Sequence, residues 1–277
     1  MIAILGTGLL GSNFARALIK KGERVHVWNR TPERAMPLAA DGAIVFTDAA
    51  EAVRGADRAH IVVSDDAAVD GVIDAARFAP GALVIDHSTT STEGARRRTA
   101  RTDLTYVHAP VFMGPQNALE STGLMLVSGD RARIQRVTPL LAPMTGKLID
   151  LGDRVDGAAA FKLMGNTFLM GFTAAIGDLL GVAKAVGIAP KDAITLFDHF
   201  NPGSFTAARA KRMAAGEFAT PSWELAMARK DARLVQAEAD HAKIALLLVP
   251  ALGAAMDAMI ARGHAHDDWT VIAKDLV

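Results

Sequence analysis

Three glycines near the start of the chain have the spacing of a phosphate-binding turn. Gly6, Gly8 and Gly11 follow a short apolar run and open a segment of helical periodicity. Between a strand and a helix, the first glycine permits a tight turn, the second lets a pyrophosphate approach the backbone, and the third allows close helix–strand packing. The N–H groups at the helix start, around Leu9 and Leu10, would then bind the phosphates. The alternative is a tight turn that binds no ligand.

The end of the next apolar run carries no acidic residue. Asn29, Arg30 and Thr31 stand where an NAD-preferring turn places a carboxylate on the ribose 2′-hydroxyl. A carboxylate would repel a 2′-phosphate, whereas a guanidinium can pair with it through two hydrogen bonds. We therefore predict NADP(H) rather than NAD(H) as the cofactor. The alternative is that Arg30 lies on a surface loop and does not bind the cofactor.

A single lysine stands in a long apolar segment of the second half. Lys162 is the only ionisable residue between Asp156 and Asp178, and Asn166 follows it by four residues. On a helix this spacing puts the ammonium and the amide on one face. Burial would lower the pKa of the lysine and suit it for proton exchange with a hydroxyl or carbonyl oxygen. The other interpretation is a lysine that reaches solvent from the edge of the helix.

The elements that must position these residues alternate in the first half of the chain. Short runs rich in valine and isoleucine alternate with segments of helical period, which is typical of βαβ units and of a mostly parallel sheet covered on both faces. We predict an α/β, doubly wound Rossmann sheet over residues 1–155, forming the NADP-binding domain. Eight strands are expected, at residues 1–5, 24–28, 43–46, 58–63, 82–86, 105–108, 124–128 and 147–151.

From about residue 156 the strand-like runs disappear. Residues 158–186 form one helical pattern of about thirty residues, long enough to pass through a molecule. Shorter helical patterns follow it to the end of the chain. We therefore predict an all-α C-terminal domain over residues 156–277, joined to the first domain by this long interdomain helix and serving substrate binding and oligomerisation.

Composition excludes several classes of function. In 277 residues, 30 basic side chains balance 30 acidic ones, so no long-range field for nucleic acid or an anionic membrane is expected. The absence of cysteine excludes a disulfide scaffold, a cysteine nucleophile and a thiolate metal site. No secretory signal is recognised, and the apolar residues 244–256 are too short to span a bilayer. We expect a cytoplasmic protein with no membrane or nucleic-acid partner.

The chain resembles the β-hydroxyacid dehydrogenase family over essentially its whole length. That family includes 3-hydroxyisobutyrate dehydrogenase and the glyoxylate/succinic semialdehyde reductases, with a cofactor domain of the 6-phosphogluconate dehydrogenase type. The resemblance rests on the glycine turn, Asn29-Arg30-Thr31, Asp86-His87-Ser88-Thr89, the helix with Gly157, Lys162 and Asn166, Lys230-Asp231 with Leu234, and Asp267-Asp268-Trp269-Thr270.

The resemblance implies roles for the matched residues. Lys162 would be the proton donor or acceptor beside the nicotinamide, Asn166 would bind substrate, and Lys230 would reach the cofactor from the helical domain. It also implies a small carbonyl or hydroxy substrate, no metal, and a homo-oligomer formed by helix packing. The further predicted cofactor-binding residues are Val63, Ser64, Ser88 and Thr89, and the further predicted substrate-binding residues are Val111, Phe112, Met113, Gly114 and Trp223.

One segment departs from the family pattern. Where members carry a serine and glycines that anchor the substrate carboxylate, this chain has Phe112 and Met113, and Pro115 removes a nearby N–H. A larger or less charged carbonyl compound fits this loop better than a small hydroxy acid does. Two alternatives therefore stay open: an enzyme similar to the imine reductases, which vary this loop towards apolar residues, and a catalytically silent NADP-binding regulator.

Other residues that could do chemistry have plainer interpretations. His264 and His266 resemble a metal cluster but fit a solvated, capping stretch, so no metal site is predicted. His87 and His108 end strands and can either face the cleft or belong to the core. Residues 96–98, a run of three arginines, are expected on a solvated helix face, and Trp223 has plain core packing as its alternative.

Overall fold

The structure, a computed structural model, describes residues 1–277 and divides into two compact units, Met1–Asn166 and Thr167–Val277. The division falls inside one long helix, whose first turns therefore belong to the first unit. The boundary predicted from the sequence, between residues 155 and 156, lies just before that helix begins. It stays a prediction about where the two functional domains meet.

The first unit is built on a six-stranded sheet whose paired strands all run parallel. The strand order is β3-β2-β1-β4-β5-β6, so the winding direction reverses between β1 and β4. Ligands of such sheets bind beyond the carboxyl ends of the strands at this switch point. The strands are β1 (Ile2–Leu5), β2 (Val25–Trp28), β3 (Ile44–Phe46), β4 (Arg58–Ile61), β5 (Ala82–Asp86) and β6 (Leu104–His108).

Both faces of this sheet are buried, as the continuous apolar strands predict. Along β1, Ile2 and Ile4 belong to one hydrophobic cluster, whereas Ala3 and Leu5 belong to another. The prediction of a doubly wound α/β unit is thus confirmed. The helices are α1 (Leu9–Lys20), α2 (Ala49–Val53), α3 (Asp66–Ala76), α4 (Thr92–Thr99), α5 (Pro115–Glu120) and α6 (Arg131–Leu141).

Three strands form a separate small sheet that the sequence did not distinguish from the large one. β7 (Val111–Phe112) pairs antiparallel with β8 (Leu124–Val127), which pairs parallel with β9 (Lys147–Asp150). We did not predict β7, α2, α5 or α6. One of the segments of helical period, residues 32–41, forms two 3₁₀ turns rather than an α-helix, Pro32–Arg34 and Met36–Ala39, each with a proline in its first turn.

The second unit is helical, as predicted, and starts within α7 (Gly157–Ala185). Its other helices are α8 (Pro190–Ala193), α9 (Thr206–Ala214), α10 (Leu225–His241) and α11 (Val249–Ala261), with 3₁₀ segments at Ile194–Asp198, Pro202–Phe205 and Trp269–Leu276. The buried carboxylate of Asp178 accepts hydrogen bonds from the N–H groups of Leu247, Leu248 and Val249 at 2.5, 2.8 and 3.1 Å. This acidic residue therefore caps the start of α11, where the helix dipole favours negative charge.

By length and composition α7 could cross a membrane, a possibility that the sequence reading of residues 244–256 overlooked. Its 29 residues include an 18-residue window of mean hydropathy 1.4. Buried helices of protein cores pass the same test, but only 11% of this window is buried, and α7 carries Lys162, Asp178 and Lys184.

The expectation for the three consecutive arginines was wrong for the last of them. Arg98 is 1% exposed, and its guanidinium donates to Asp66 at 2.9 Å and to Asp70 at 2.7 Å. Arg96 and Arg97 stay exposed and pair with Asp156 and Asp70. Arg98 therefore ties α4 to α3 from within the protein, because a buried charge must be paired.

Replacement of Arg98 by methionine should lower the free energy of unfolding by about 2–4 kcal/mol, because two carboxylates lose their buried partner. Urea denaturation followed by circular dichroism measures the change. Arg97→Met is the matched control and should shift stability by about 0.5 kcal/mol or less, since its pair is exposed. Equal effects of the two variants would contradict the role assigned to Arg98.

Candidate active site

The glycine turn joins β1 to α1 and leaves room above its backbone. Gly6 has a φ of +102°, and a Cβ there would lie 2.9 Å from Val63 Cγ1. A Cβ on Gly11 would lie 3.1 Å from the carbonyl carbon of Gly6 and closer still to its oxygen. Gly8, the N-cap of α1, has no atom within 4 Å of its Cβ position. The first and third glycines are thus required by packing, and the second faces space that a ligand can enter.

The end of β2 is tied to this turn by Asn29. Its Oδ1 accepts a hydrogen bond from the Thr7 N–H at 3.0 Å, and its Nδ2 donates to the Thr31 carbonyl at 2.9 Å. This amide, which is predicted to bind the cofactor, therefore also holds the loop. Arg30 lines the pocket beside it, and so does Arg34. We did not predict Arg34, although its position four residues after Arg30 was a usable signal.

One pocket of about 690 Å³ lies over the carboxyl ends of the strands in the first unit. Its charged lining residues are Arg30, Arg34 and Lys162, so the lining contains three cations and no carboxylate. Such a lining suits a ligand with phosphate groups. Every predicted cofactor-binding residue of the first unit lines it, namely Gly6, Gly8, Leu9, Leu10, Gly11, Asn29, Arg30, Thr31, Val63, Ser64, Ser88 and Thr89.

Lys162 is partly buried on the second turn of α7 and lines the same pocket. Its Nζ lies 4.1 Å from the centroid of the Phe112 ring. Burial lowers the pKa of its ammonium group. No carboxylate of residues 1–166 comes within 4.0 Å of Nζ, so the group is available for proton exchange. Asn166, one turn further along α7, is also partly buried.

The segment after β6 gives the site its apolar wall. Val111 and Met113 line the pocket, whereas Phe112 faces Lys162. The Gly114 N–H donates to Asn117 Oδ1 at 2.9 Å within the first turn of α5. Gly114 is not among the pocket-lining residues, so its amide serves the fold at this position.

Buried histidines support the strand ends below the pocket. His87, which lines the pocket, donates from Nδ1 to the Ala109 carbonyl at 2.8 Å and accepts from His60 Nδ1 at 2.8 Å. Because a carbonyl only accepts, these bonds fix the neutral tautomer of His87. Burial lowers the pKa of His87 to about 4. His87 therefore supports the neighbouring Ser88 without carrying a charge. The Ser88 Oγ accepts a hydrogen bond from the Val63 N–H at 3.0 Å.

Two predicted site residues lie in the second unit. Lys230, on α10, pairs with Asp231 at 2.8 Å, and Trp223 packs against Trp269 with 5.6 Å between ring centroids. Their assignments to the cofactor and the substrate stay predictions. His264 and His266 bind the carboxylates of Asp267 and Glu224, and the structure contains no group of three or more potential metal ligands.

Comparison with known proteins gives the family. Residues 1–152 match the NAD binding domain of 6-phosphogluconate dehydrogenase. A probable 3-hydroxyisobutyrate dehydrogenase of Mycobacterium tuberculosis is 33% identical over 204 residues, which cover 71% of this chain and 67% of that protein. An uncharacterized oxidoreductase of Synechocystis is 31% identical over 252 residues, covering 87% of this chain and 86% of that protein.

Solved structures agree on the fold. An imine reductase from Pseudomonas superposes with a TM-score of 0.90 at 22% identity, covering 100% of this chain and 99% of that one. An imine reductase from Myxococcus stipitatus in complex with NADP⁺ has the same TM-score at 19% identity, covering 100% of both chains. The chain is thus a nicotinamide-dependent oxidoreductase by descent, and it belongs to the 6-phosphogluconate dehydrogenase-type family that includes the 3-hydroxyisobutyrate dehydrogenases.

Proposed function

We propose that this protein is an NADP(H)-dependent oxidoreductase that interconverts a small hydroxy acid, or a related alcohol, with its aldehyde or keto form. One observation carries the proposal: a partly buried lysine without a carboxylate partner lines the same pocket as the glycine turn. A cofactor turn and a group able to exchange a proton are the two parts that reversible reduction of a carbonyl group needs.

The residues present fit a nicotinamide dinucleotide. The open space at Gly8 and the free N–H groups at the start of α1 suit a pyrophosphate. Arg30 and Arg34 suit a 2′-phosphate, and no carboxylate in the pocket lining opposes it. Ser88 and Thr89 line the pocket at the carboxyl end of β5, where we propose that they border the nicotinamide ribose.

The protein's own contribution is to hold and move a proton. When bound, the cofactor supplies or accepts the hydride. Lys162 donates a proton to the carbonyl oxygen during reduction and accepts the hydroxyl proton during oxidation. Burial brings the pKa of this ammonium down from its usual value, which makes the exchange easier near neutral pH. We propose that Asn166, on the same face of α7, holds the same oxygen.

A second candidate function is reduction of an imine. The observation that favours it is the apolar wall of the pocket, because the Phe112 ring faces Lys162 where a polar group would hold a hydroxy acid. A lysine that gives up a proton to an oxygen favours carbonyl chemistry, so we rank imine reduction second.

A screen of NADPH oxidation at neutral pH tests the proposal. The panel contains glyoxylate, succinic semialdehyde, tartronate semialdehyde, bulkier carbonyl compounds without carboxylates, and cyclic imines. We expect turnover of carbonyl compounds that depends on Lys162. Turnover of imines alone would favour the second candidate, and no turnover of any compound would contradict both.

We also propose that the protein is a homo-oligomer in which a second copy covers α7. Six large apolar side chains of this helix are between 46% and 65% exposed, namely Phe161, Met164, Phe168, Leu169, Met170 and Phe172. An exposed apolar surface of this kind marks an interaction site.

Light scattering should give a mass of at least two chains of 29.2 kDa each. Phe168→Asp should reduce that mass, because it places a charge in the proposed interface without disturbing a buried position. A wild-type protein that stays a monomer at micromolar concentration would contradict the proposal.

A further inference from the structure

We propose that Phe112 positions Lys162 and restricts the substrate to carbonyl compounds without a carboxylate beside the reacting carbon. The inference rests on the proposed function, because it narrows the substrates proposed there to those whose reacting carbon bears no carboxylate. The Phe112 ring would then have two roles: it orients the lysine, and it selects the substrate.

Gly165 provides the seat for the ring. A Cβ at this position of α7 would lie 2.7 Å from Phe112 Cε1 and closer still to Cζ. A glycine inside a helix is destabilising relative to alanine, so its presence calls for a reason. The edge of the ring lies against the backbone of α7, and a residue larger than glycine fits beneath it only if the ring moves.

The ring then holds the ammonium of Lys162. Nζ lies 4.1 Å from the ring centroid, well within the range in which the negative face of an aromatic ring attracts a cation. Burial lowers the pKa of this lysine, and the ring opposes that shift because it stabilises the charged form. The other titratable groups in the pocket lining are Arg30, Arg34 and His87, and none of them is a carboxylate that could take over this role.

The side chains of this segment offer no donor to a substrate carboxylate. Val111, Phe112 and Met113 have apolar side chains, the Gly114 N–H is already bonded to Asn117, and Pro115 has no N–H. A carboxylate beside the reacting carbon would have Lys162 as its partner, yet that ammonium has to reach the carbonyl oxygen. One cation cannot bind both the carboxylate and the carbonyl oxygen. A carboxylate that lies next to the face of an aromatic ring and has no hydrogen-bond donor is also unfavourable. The site therefore favours a carbonyl compound whose reacting carbon bears no carboxylate.

A double-mutant cycle tests the positioning role without relying on activity. Lysines are reductively methylated with ¹³C, the signal of Lys162 is identified by its loss in Lys162→Arg, and its pKa is followed by NMR. Phe112→Leu keeps an apolar side chain but removes the ring, so the pKa of Lys162 should fall by about half a unit to one unit. Gly165→Ala should lower it similarly, because the added methyl displaces the ring.

The double variant should add little to Phe112→Leu, because leucine lacks the atoms that collide with the new methyl group. Gly171→Ala is the matched control, since nothing lies within 4 Å of its Cβ position on the same helix. Retained NADPH binding shows that each variant is folded. An unchanged pKa in Phe112→Leu, or additive shifts in the double variant, would overturn the positioning role.

Substrate selection is tested with a keto acid and its methyl ester. The wild type should favour the ester in kcat/KM by about 10-fold or more, and Phe112→Ser should shift that ratio towards the acid by about 10-fold or more. A wild type that favours the acid would overturn the selection role while leaving the proposed function intact. If no variant turns over any carbonyl compound, the proposed function fails, and the NMR titration still decides whether the ring holds the lysine.

Discussion

Replacement of Lys162 by alanine is expected to lower kcat by about two to four orders of magnitude, the usual contribution of a positioned general acid. NADPH affinity should stay nearly unchanged, because the glycine turn and Arg30, which we propose bind the cofactor phosphates, lie outside α7. Since the lysine exchanges its proton in the transition state, kcat and kcat/KM should fall together. Steady-state kinetics together with NADPH fluorescence titration measures both effects.

Two further variants separate loss of the proton donor from loss of charge. Lys162→Arg keeps the charge but holds its proton too tightly to exchange it, so its turnover should also fall strongly. Lys184→Ala, at the other end of the same helix, is the control and should keep near wild-type rates. An alanine variant at position 162 that retains near-full turnover would remove this lysine from the mechanism.

The second large effect concerns the choice of cofactor. Arg30→Ala should weaken NADPH binding by about 10- to 100-fold, the loss expected when a charge-assisted contact to a phosphate is removed. NADH binding should change much less, because NADH has no 2′-phosphate. Isothermal titration of both cofactors measures the ratio. Arg34→Ala should change it in the same direction, since this residue lines the same pocket.

Arg54→Ala is a suitable control for a general loss of positive charge. Its guanidinium pairs with Glu51 on the surface and does not line the pocket. It should leave the preference for NADPH over NADH unchanged. Equal losses of affinity for the two cofactors in Arg30→Ala would contradict the assignment of this arginine to the 2′-phosphate.

The sequence predicted the parts of the site that depend on local pattern. The three glycines form a turn between strand and helix, as their spacing and the flanking patterns predicted, although the space at Gly6 is limited by Val63, which is distant in the chain. The alternation of apolar runs with helical periods predicted the order of elements, because both faces of a parallel sheet are buried. The long α7 with Lys162 and Asn166 on one face followed from the 3.6-residue period in the same way.

Contacts between distant residues could not be predicted in this way. Arg98 is buried because Asp66 and Asp70 approach it from another helix, and nothing in the run of arginines indicates that. Asn29 holds the glycine turn through a bond to Thr7 across 22 residues. The contact between the Phe112 ring and Gly165 likewise joins residues that only the folded chain brings together.

The most direct test of the central claim follows the hydride itself. The preferred substrate is reduced with NADPH that carries deuterium at both C4 positions, and the product is analysed by mass spectrometry. We predict one deuterium on the carbon that becomes the carbinol carbon, with its transfer slowed at least 100-fold in Lys162→Ala. NADPH oxidation without deuterium in the product, or deuterium found solely in an amine formed from an imine, would contradict a carbonyl reductase in which Lys162 supplies the proton.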